Sequence, residues 1–172
     1  IPADFRAGNH DAFAGIQAAI NVATNGDDVI FVAAGVYAPI VSSNQTVQIL
    51  GDSATNTIID GGGTNRCATL IADDADTGGN SALAYFTLRN GDVMSNYMAQ
   101  EYEDCGGGAR GGYLVDCIVE NCTARYGGGV ADTTTERCII RNCTAELGGG
   151  AYGNGLSFPY HYNTIFEKNH AR

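Results

Sequence analysis

Six cysteines, two acidic clusters and a scatter of tyrosines are the residues of this chain that have chemistry to offer. Four of the cysteines sit in a repeated stretch, CIVENCTA at 117–124 and CIIRNCTA at 138–145, twenty-one residues apart. Paired metal sites, a disulfide framework and a stack of buried thiols all produce such a pattern. The C-x4-C spacing differs from the C-x2-C of common zinc modules, and His10, His161 and His170 lie away from the pairs. Disulfides draw support from the even number of cysteines and an oxidising exterior, with vertical neighbours such as Cys117 and Cys138 within bridging distance if stacked. In the opposing reading Cys117, Cys122, Cys138 and Cys143 are stacked core thiols acting as small apolar side chains. Thr164 and Asn169, at the equivalent positions of the next unit, favour the thiols. Cys67 and Cys105 stand outside these columns and are left free to pair with each other.

The acidic clusters are Asp73, Asp74 and Asp76, and Glu101, Glu103 and Asp104. Calcium takes several carboxylate and carbonyl oxygens, which makes Asp73, Asp74 and Asp76 weak calcium ligands. Their spacing is not that of a loop-type calcium site, and a solvated loop is the favoured reading. Asp60 and Asp116 are the strand-associated carboxylates to consider for glycoside hydrolysis, which needs two of them about 5–9.5 Å apart. Nothing in the sequence brings them together, and Asp60 before three glycines suits a turn. A Ser-His-Asp arrangement, a phosphate loop and a dinucleotide fingerprint are all lacking, so the catalytic residues, if any, stay unknown. The aromatics are more suggestive. Tyr97 and Tyr102 fall in an insertion at 91–105, and Tyr160, His161 and Tyr162 in another at 151–163. Both insertions interrupt the repeat at nearly the same phase, which predicts neighbours on one flank. Tyrosines beside carboxylates can stack sugars, or the rings can fold back over the flank. Asn44, Asn121 and Asn142 match the N-glycosylation pattern, which matters in a eukaryotic secreted chain.

The elements that must position these residues are a helix and many strands. Phe13, Ile16, Ile20 and Ala23 share one face at helical spacing, Asp11 can cap and Gly26 can stop, so the spacing predicts a helix over 12–24. From residue 29 short β-branched and aromatic runs follow, separated by Gly, Asn, Asp or Thr turns, with no helix-length segment between them. An ordinary βαβ sheet is excluded. Gly-Gly-Gly recurs at 106–108, 127–129 and 148–150, and TIFEKNHA at 164–171 aligns with CIVENCTA. A period near twenty in strand-like sequence signals a β-solenoid. Stacking the units gives inward columns: Cys117, Cys138, Thr164; Val119, Ile140, Phe166; Cys122, Cys143, Asn169; Ala124, Ala145, Ala171. A corner at Glu120-Asn121 explains the break in parity, and Asn169 can join a hydrogen-bonded ladder there. Glu120, Arg141 and Glu167 form an outward column that varies as solvated positions do. The predicted interior is that of a parallel β-helix, with rungs about 4.8 Å apart.

The stretch GIQAAINVATNGDDVIFVAAGVYAPIV, with VQILG and TIIDGGG after it, resembles the N-terminal cap and first coils of the right-handed parallel β-helix (pectate-lyase-like) superfamily. The glycine and cysteine array is similar to repeats of bacterial surface β-helix proteins, including polymorphic outer-membrane-type adhesins. The resemblance implies an all-β, right-handed, single-stranded parallel β-helix with a short N-terminal capping α-helix. It divides residues 1–172 into a cap at 1–28, first coils with insertions at 29–105 and repeat coils at 106–172, in all six or seven coils. Lyases of this fold pair calcium with a basic residue that removes the C5 proton of a uronate; no Lys/Arg pair near the acidic clusters offers that base.

Composition limits the function further. A net charge of −10 with no Lys/Arg cluster argues against nucleic acid and anionic membrane surfaces. The longest apolar run, VIFVAAGVYA at 29–38, is too short to span a bilayer. The 24 glycines against three prolines imply many tight turns. An extracellular or cell-surface structural and binding module follows, its partners a polysaccharide or surface glycan, or a second copy at an open solenoid end. The alternative is the N-terminal part of a carbohydrate-active enzyme, a calcium-assisted polysaccharide lyase or, less readily, a glycoside hydrolase. The start at Ile1 without Met suggests a removed leader or an excised piece, and TIFEKNHAR reads as mid-coil, as in a fragment of a longer β-helix.

Overall fold

Short runs that favour strands but are too brief to form a sheet alone must find partners in the next turn of the chain, and here every strand pairing is parallel and between successive coils. The computed structural model describes residues 5–7 (backbone), 15–24, 26, 28–42, 46–71, 81–94, 103–154 and 159–172. Strand β1 (Phe5–Ala7) and helix α1 (Ile16–Ile20) precede the first coil, which holds β2 (Val29–Val32), β3 (Gly35–Tyr37) and β4 (Ile40–Val41). The second coil holds β5 (Gln48–Gly51), β6 (Thr57–Asp60) and β7 (Ala68–Thr69). The third holds β8 (Ala82–Ala84), β9 (Thr87–Arg89) and β10 (Ala109–Arg110). The fourth holds β11 (Tyr113–Val115), β12 (Ile118–Glu120) and β13 (Val130–Ala131). The fifth holds β14 (Thr134–Glu136), β15 (Ile139–Arg141), β16 (Thr144–Ala145) and β17 (Ala151–Tyr152). The sixth holds β18 (His161–Tyr162), β19 (Ile165–Glu167) and β20 (His170–Ala171).

Like strands stack into three long sheets: sheet A from β1, β2, β5, β8, β11, β14 and β18, sheet B from β3, β6, β9, β12, β15 and β19, and sheet C from β4, β7, β10, β13 and β17. This is a parallel β-helix. Side-chain alternation sends every second residue of each strand into the lumen. On sheet A the inward column is Ile30, Ile49, Leu83, Leu114, Thr135, His161. On sheet B it is Ile59, Leu88, Val119, Ile140, Phe166. Val119 and Ile140 are fully buried, and each such aliphatic side chain contributes about 1.5–3 kcal/mol.

From the third coil to the sixth, two stacked corners use the left-handed region. Tyr85, Asp116, Arg137 and Asn163 stack between sheets A and B, and Asn90, Asn121, Asn142 and Lys168 follow sheet B, all with φ between 48° and 64°. Asn and Asp reach this conformation at least cost. The corner at Asn121 is the one the parity break calls for. Of the triple glycines, Gly106, Gly127 and Gly148 have φ of 63°, 62° and 66°, and a Cβ on Gly108 would come within 2.4 Å of Val119 Cγ1. The turn therefore requires a left-handed residue followed by one without a side chain.

The helix seals the lower end by packing Ile16, Ala19 and Ile20 inward. The regular helix ends at Ile20, earlier than the spacing predicts, although Ala23 N–H still bonds Ala19 O at 3.1 Å. Asp11 and residues 12–14 lie outside the described residues. Gln17 carries a task the sequence did not announce. Its Nε2 donates to Val41 O at 2.9 Å and its Oε1 accepts from Val41 N–H at 2.8 Å, so one side-chain amide occupies the free edge of β4.

Candidate functional site

Outward positions on sheet A collect the exposed rings. Tyr113 opens β11, Thr134 stands over it in β14, and Tyr160 donates its backbone N–H to Thr134 Oγ1 at 3.4 Å, which places it in the same column. The next outward column runs Leu50, Ala84, Val115, Glu136, Tyr162. Tyr160 and Tyr162 stack with ring centroids 5.8 Å apart. Tyr85 projects from the adjoining corner, directly below Asp116. All four tyrosines are 44–59% exposed, unusual for rings of this size on a rigid sheet.

A polar band crosses the middle of this face. Arg137 Nε and an Nη donate to the two Asp116 carboxylate oxygens at 2.9 and 2.7 Å, and its other Nη reaches Glu136. The bidentate bond from Arg137 holds the Asp116 carboxyl below the usual range, and the two carboxylates hold the guanidinium proton more tightly than normal. The arrangement offers flat apolar rings above and below, with fixed acceptors between them.

Of the expected contact residues, Tyr160 and Tyr162 are on this face, while Tyr97 and Tyr102 lie outside the described residues. His161 is not on it. Alternation turns it inward, where its Nδ1 is 2.8 Å from Thr135 Oγ1 and its ring meets Phe166 edge-on at 5.2 Å. Partial desolvation holds its pKa below the ordinary value. The two insertions do not share a phase. Residues 95–102 connect the end of sheet B to sheet C, and 155–158 connect sheet C to sheet A. Tyr113, Tyr85 and Arg137 escaped the sequence reading, which considered Asp116 only for glycoside hydrolysis; the signal was there in Asp116 and Arg137, opposite charges one repeat of 21 apart.

The same spacing corrects the view of Glu120, Arg141 and Glu167 as freely varying. With Asp60 and Arg89 they form one outward column of alternating charge on sheet B. Arg89 bonds Asp60 at 2.7 Å, and Arg141 bonds Glu120 at 2.6 Å and lies 4.0 Å from Glu167. Asp60 and Asp116 thus belong to different corners and are neutralised by different arginines. Burial raises the Asp60 pKa, but Gly62 N–H, Arg89 and Asn90 outweigh it and the net shift is downward. Beside Asp60 a second, shallow groove of about 490 Å³ is lined by Gly62, Gly63, Asn90, Gly91, Asp92, Asn121 and Thr123.

The six cysteines are free and buried. The stacked thiols donate to backbone carbonyls: Cys117 Sγ to Leu83 O at 3.4 Å and Val115 O at 3.3 Å, and Cys138 Sγ to Leu114 O and Glu136 O at 3.4 Å each. Cys67 is not brought to Cys105. Its Sγ occupies the space that Gly91 leaves in the column of Cys122 and Cys143, 3.1 Å from where a Gly91 Cβ would stand. Its Sγ meets Arg89 O at 3.2 Å, as Cys122 Sγ meets Glu120 O and Cys143 Sγ meets Arg141 O. Cys105 is pushed up to about 11 by burial, with Asp104 adding to the effect, so it is a protonated thiol at neutral pH. Asn121 and Asn142 are exposed at their corners, whereas Asn44, Asp73, Asp74 and Asp76 lie outside the described residues. Among the described residues no three His, Cys, Asp or Glu side chains are grouped to hold a metal ion, and no helix is long and apolar enough to cross a membrane.

No family model matches the sequence, and no curated protein does. Among solved structures, a mutant of pectin methylesterase in complex with a hexasaccharide is similar, with a TM-score of 0.52 and 15% identity over 86% of this chain. The chain spans 53% of that structure's length. At this identity the likeness shows the fold, and the chain has the right-handed parallel β-helix fold of the pectate-lyase-like kind.

Proposed function

We propose that this chain is an extracellular or cell-surface β-helix module that contacts glycans through the outward face of sheet A. The observation that carries the reading is the set of exposed rings Tyr85, Tyr113, Tyr160 and Tyr162 on a rigid sheet with the Asp116–Arg137–Glu136 band between them. Sugars present flat apolar faces to aromatic rings and hydroxyls to carboxylates. The hexasaccharide held by the structurally similar pectin methylesterase supports a carbohydrate ligand. The enzyme alternative fits the residues less well. A lyase needs a base with a lowered pKa, and Arg137 is shifted the opposite way by its two carboxylates. The test is a glycan microarray or affinity electrophoresis with the wild-type chain and a Tyr160→Ala/Tyr162→Ala variant. Retention by at least one glycan, lost in the variant, supports the reading; unchanged retention in the variant removes it.

A further inference from the structure

We infer that the glycan taken by this face is an uncharged linear chain in an extended β-1,4-linked conformation, lying along the solenoid axis, and not a polyuronate. The inference rests on the proposed glycan-contact face and specifies its ligand. Its first support is spacing. Tyr113 and Tyr160 stand in one column with Thr134 between them. They are therefore two inter-strand steps apart, about 9.6 Å at roughly 4.8 Å each. That is close to the length of one disaccharide in an extended β-1,4 glycan, so alternate sugars meet alternate rings. The small Thr134 leaves room for the sugar between them. Tyr162, stacked beside Tyr160, widens the upper ring platform, and the half-buried Val115 lies lower in the column of Tyr162.

The second support is charge. Among the residues whose side chains are described, Arg137 is the one cation on this face, and both of its edges are engaged by carboxylates. Two carboxylates against one guanidinium leave the band with a net charge of −1, on a chain whose total is −10. A uronate carboxylate brought to this band meets like charge, with Arg137 already engaged by Asp116 and Glu136. Sugar hydroxyls find acceptors in Asp116 and Glu136 without displacing Arg137.

The experiment is isothermal titration calorimetry of the chain with cellohexaose, mannohexaose, xylohexaose and chitohexaose, against oligogalacturonate and oligoalginate, at low salt and at high salt. Binding of at least one neutral hexaose, indifferent to salt and weakened roughly tenfold by Tyr113→Ala and by Tyr160→Ala, is expected. Tyr113→Phe, which keeps the ring, retains it, and circular dichroism verifies the fold of each variant. Asp116→Asn/Glu136→Gln, which frees Arg137, is expected to gain salt-sensitive binding of oligogalacturonate. If wild type binds an oligouronate and no neutral hexaose, with the tyrosine variants still impaired, this inference falls and the glycan-contact face stands. If nothing binds, or the tyrosine variants bind as wild type does, both fall.

Discussion

The lower and upper halves of the lumen solve the same packing problem with different residues. In the first three coils the inward columns are large aliphatic or aromatic side chains: Ile30, Ile49, Leu83, Ile59, Leu88 and Phe86. In the fourth and fifth coils Phe86 gives way to Cys117 and Cys138, and Leu114 to Thr135; in the sixth these columns read Thr164 and His161, and Asn169 succeeds Cys122 and Cys143 in a third. Each polar newcomer finds a hydrogen-bond partner in an adjacent coil. Thr135 Oγ1 meets His161 Nδ1 at 2.8 Å and Thr164 Oγ1 at 2.9 Å, and Asn169 accepts from Cys143 N–H at 3.0 Å and donates to Ile140 O at 2.8 Å. A β-helix interior therefore accepts polarity where the stacked neighbour supplies the partner, and needs hydrocarbon elsewhere.

That contrast can be broken most forcefully from below. Leu83→Ala leaves a void among rigid rungs and is expected to lower stability by about 2–5 kcal/mol, read as a shift in denaturant midpoint. In the upper half, Asn169→Ala strands the Cys143 N–H and Ile140 carbonyl and should cost about 1–3 kcal/mol by the same measurement. A cost equal to that of Leu83→Ala would erase the proposed difference between the halves. Thr135→Val comes next, at about 1 kcal/mol, since the hydroxyl is lost but the volume is kept.

Acidification probes the same polar corner more gently. Partial desolvation of the otherwise exposed His161 ring disfavours its imidazolium, so its folded pKa lies below that of the unfolded chain, near 6.5. The unfolded chain takes up the proton first as pH falls. Stability is thus fully present above about 6.5 and declines as pH falls through the folded value. Thermal scans across that range should show a falling Tm in wild type and a flatter profile in His161→Gln; identical profiles would dismiss His161 as the titrating group. The smallest effect belongs to the surface ladders. Arg141→Gln breaks an exposed bond to Glu120 and should barely move Tm, and less still in high salt.

Much of the repeat region was legible because its information is local. CIVENCTA and CIIRNCTA announce two rungs, and the columns of Val119 with Ile140 and Cys122 with Cys143 lie where a period of 21 places them. The candidate face was half legible. Tyr160 and Tyr162 alternate on one strand, so their common side follows from the pleat. Tyr113 did not announce itself, because an insertion separates its unit from theirs and a constant period no longer counts the distance. His161 was misassigned for a related reason: it was grouped with its neighbours by composition, while alternation sends it the other way.

Alternation within strands, left-handed Asn and Asp corners and triple glycines follow from steric rules acting over a few residues, and on those the amino-acid order alone determined a parallel solenoid. Pairing between coils decided the rest: that Tyr113 and Tyr160 share a column, and that Cys67 fills the space beside Gly91. These contacts join residues whose separation varies with every inserted loop, so only the hydrogen-bonded register of one coil on the next could set them.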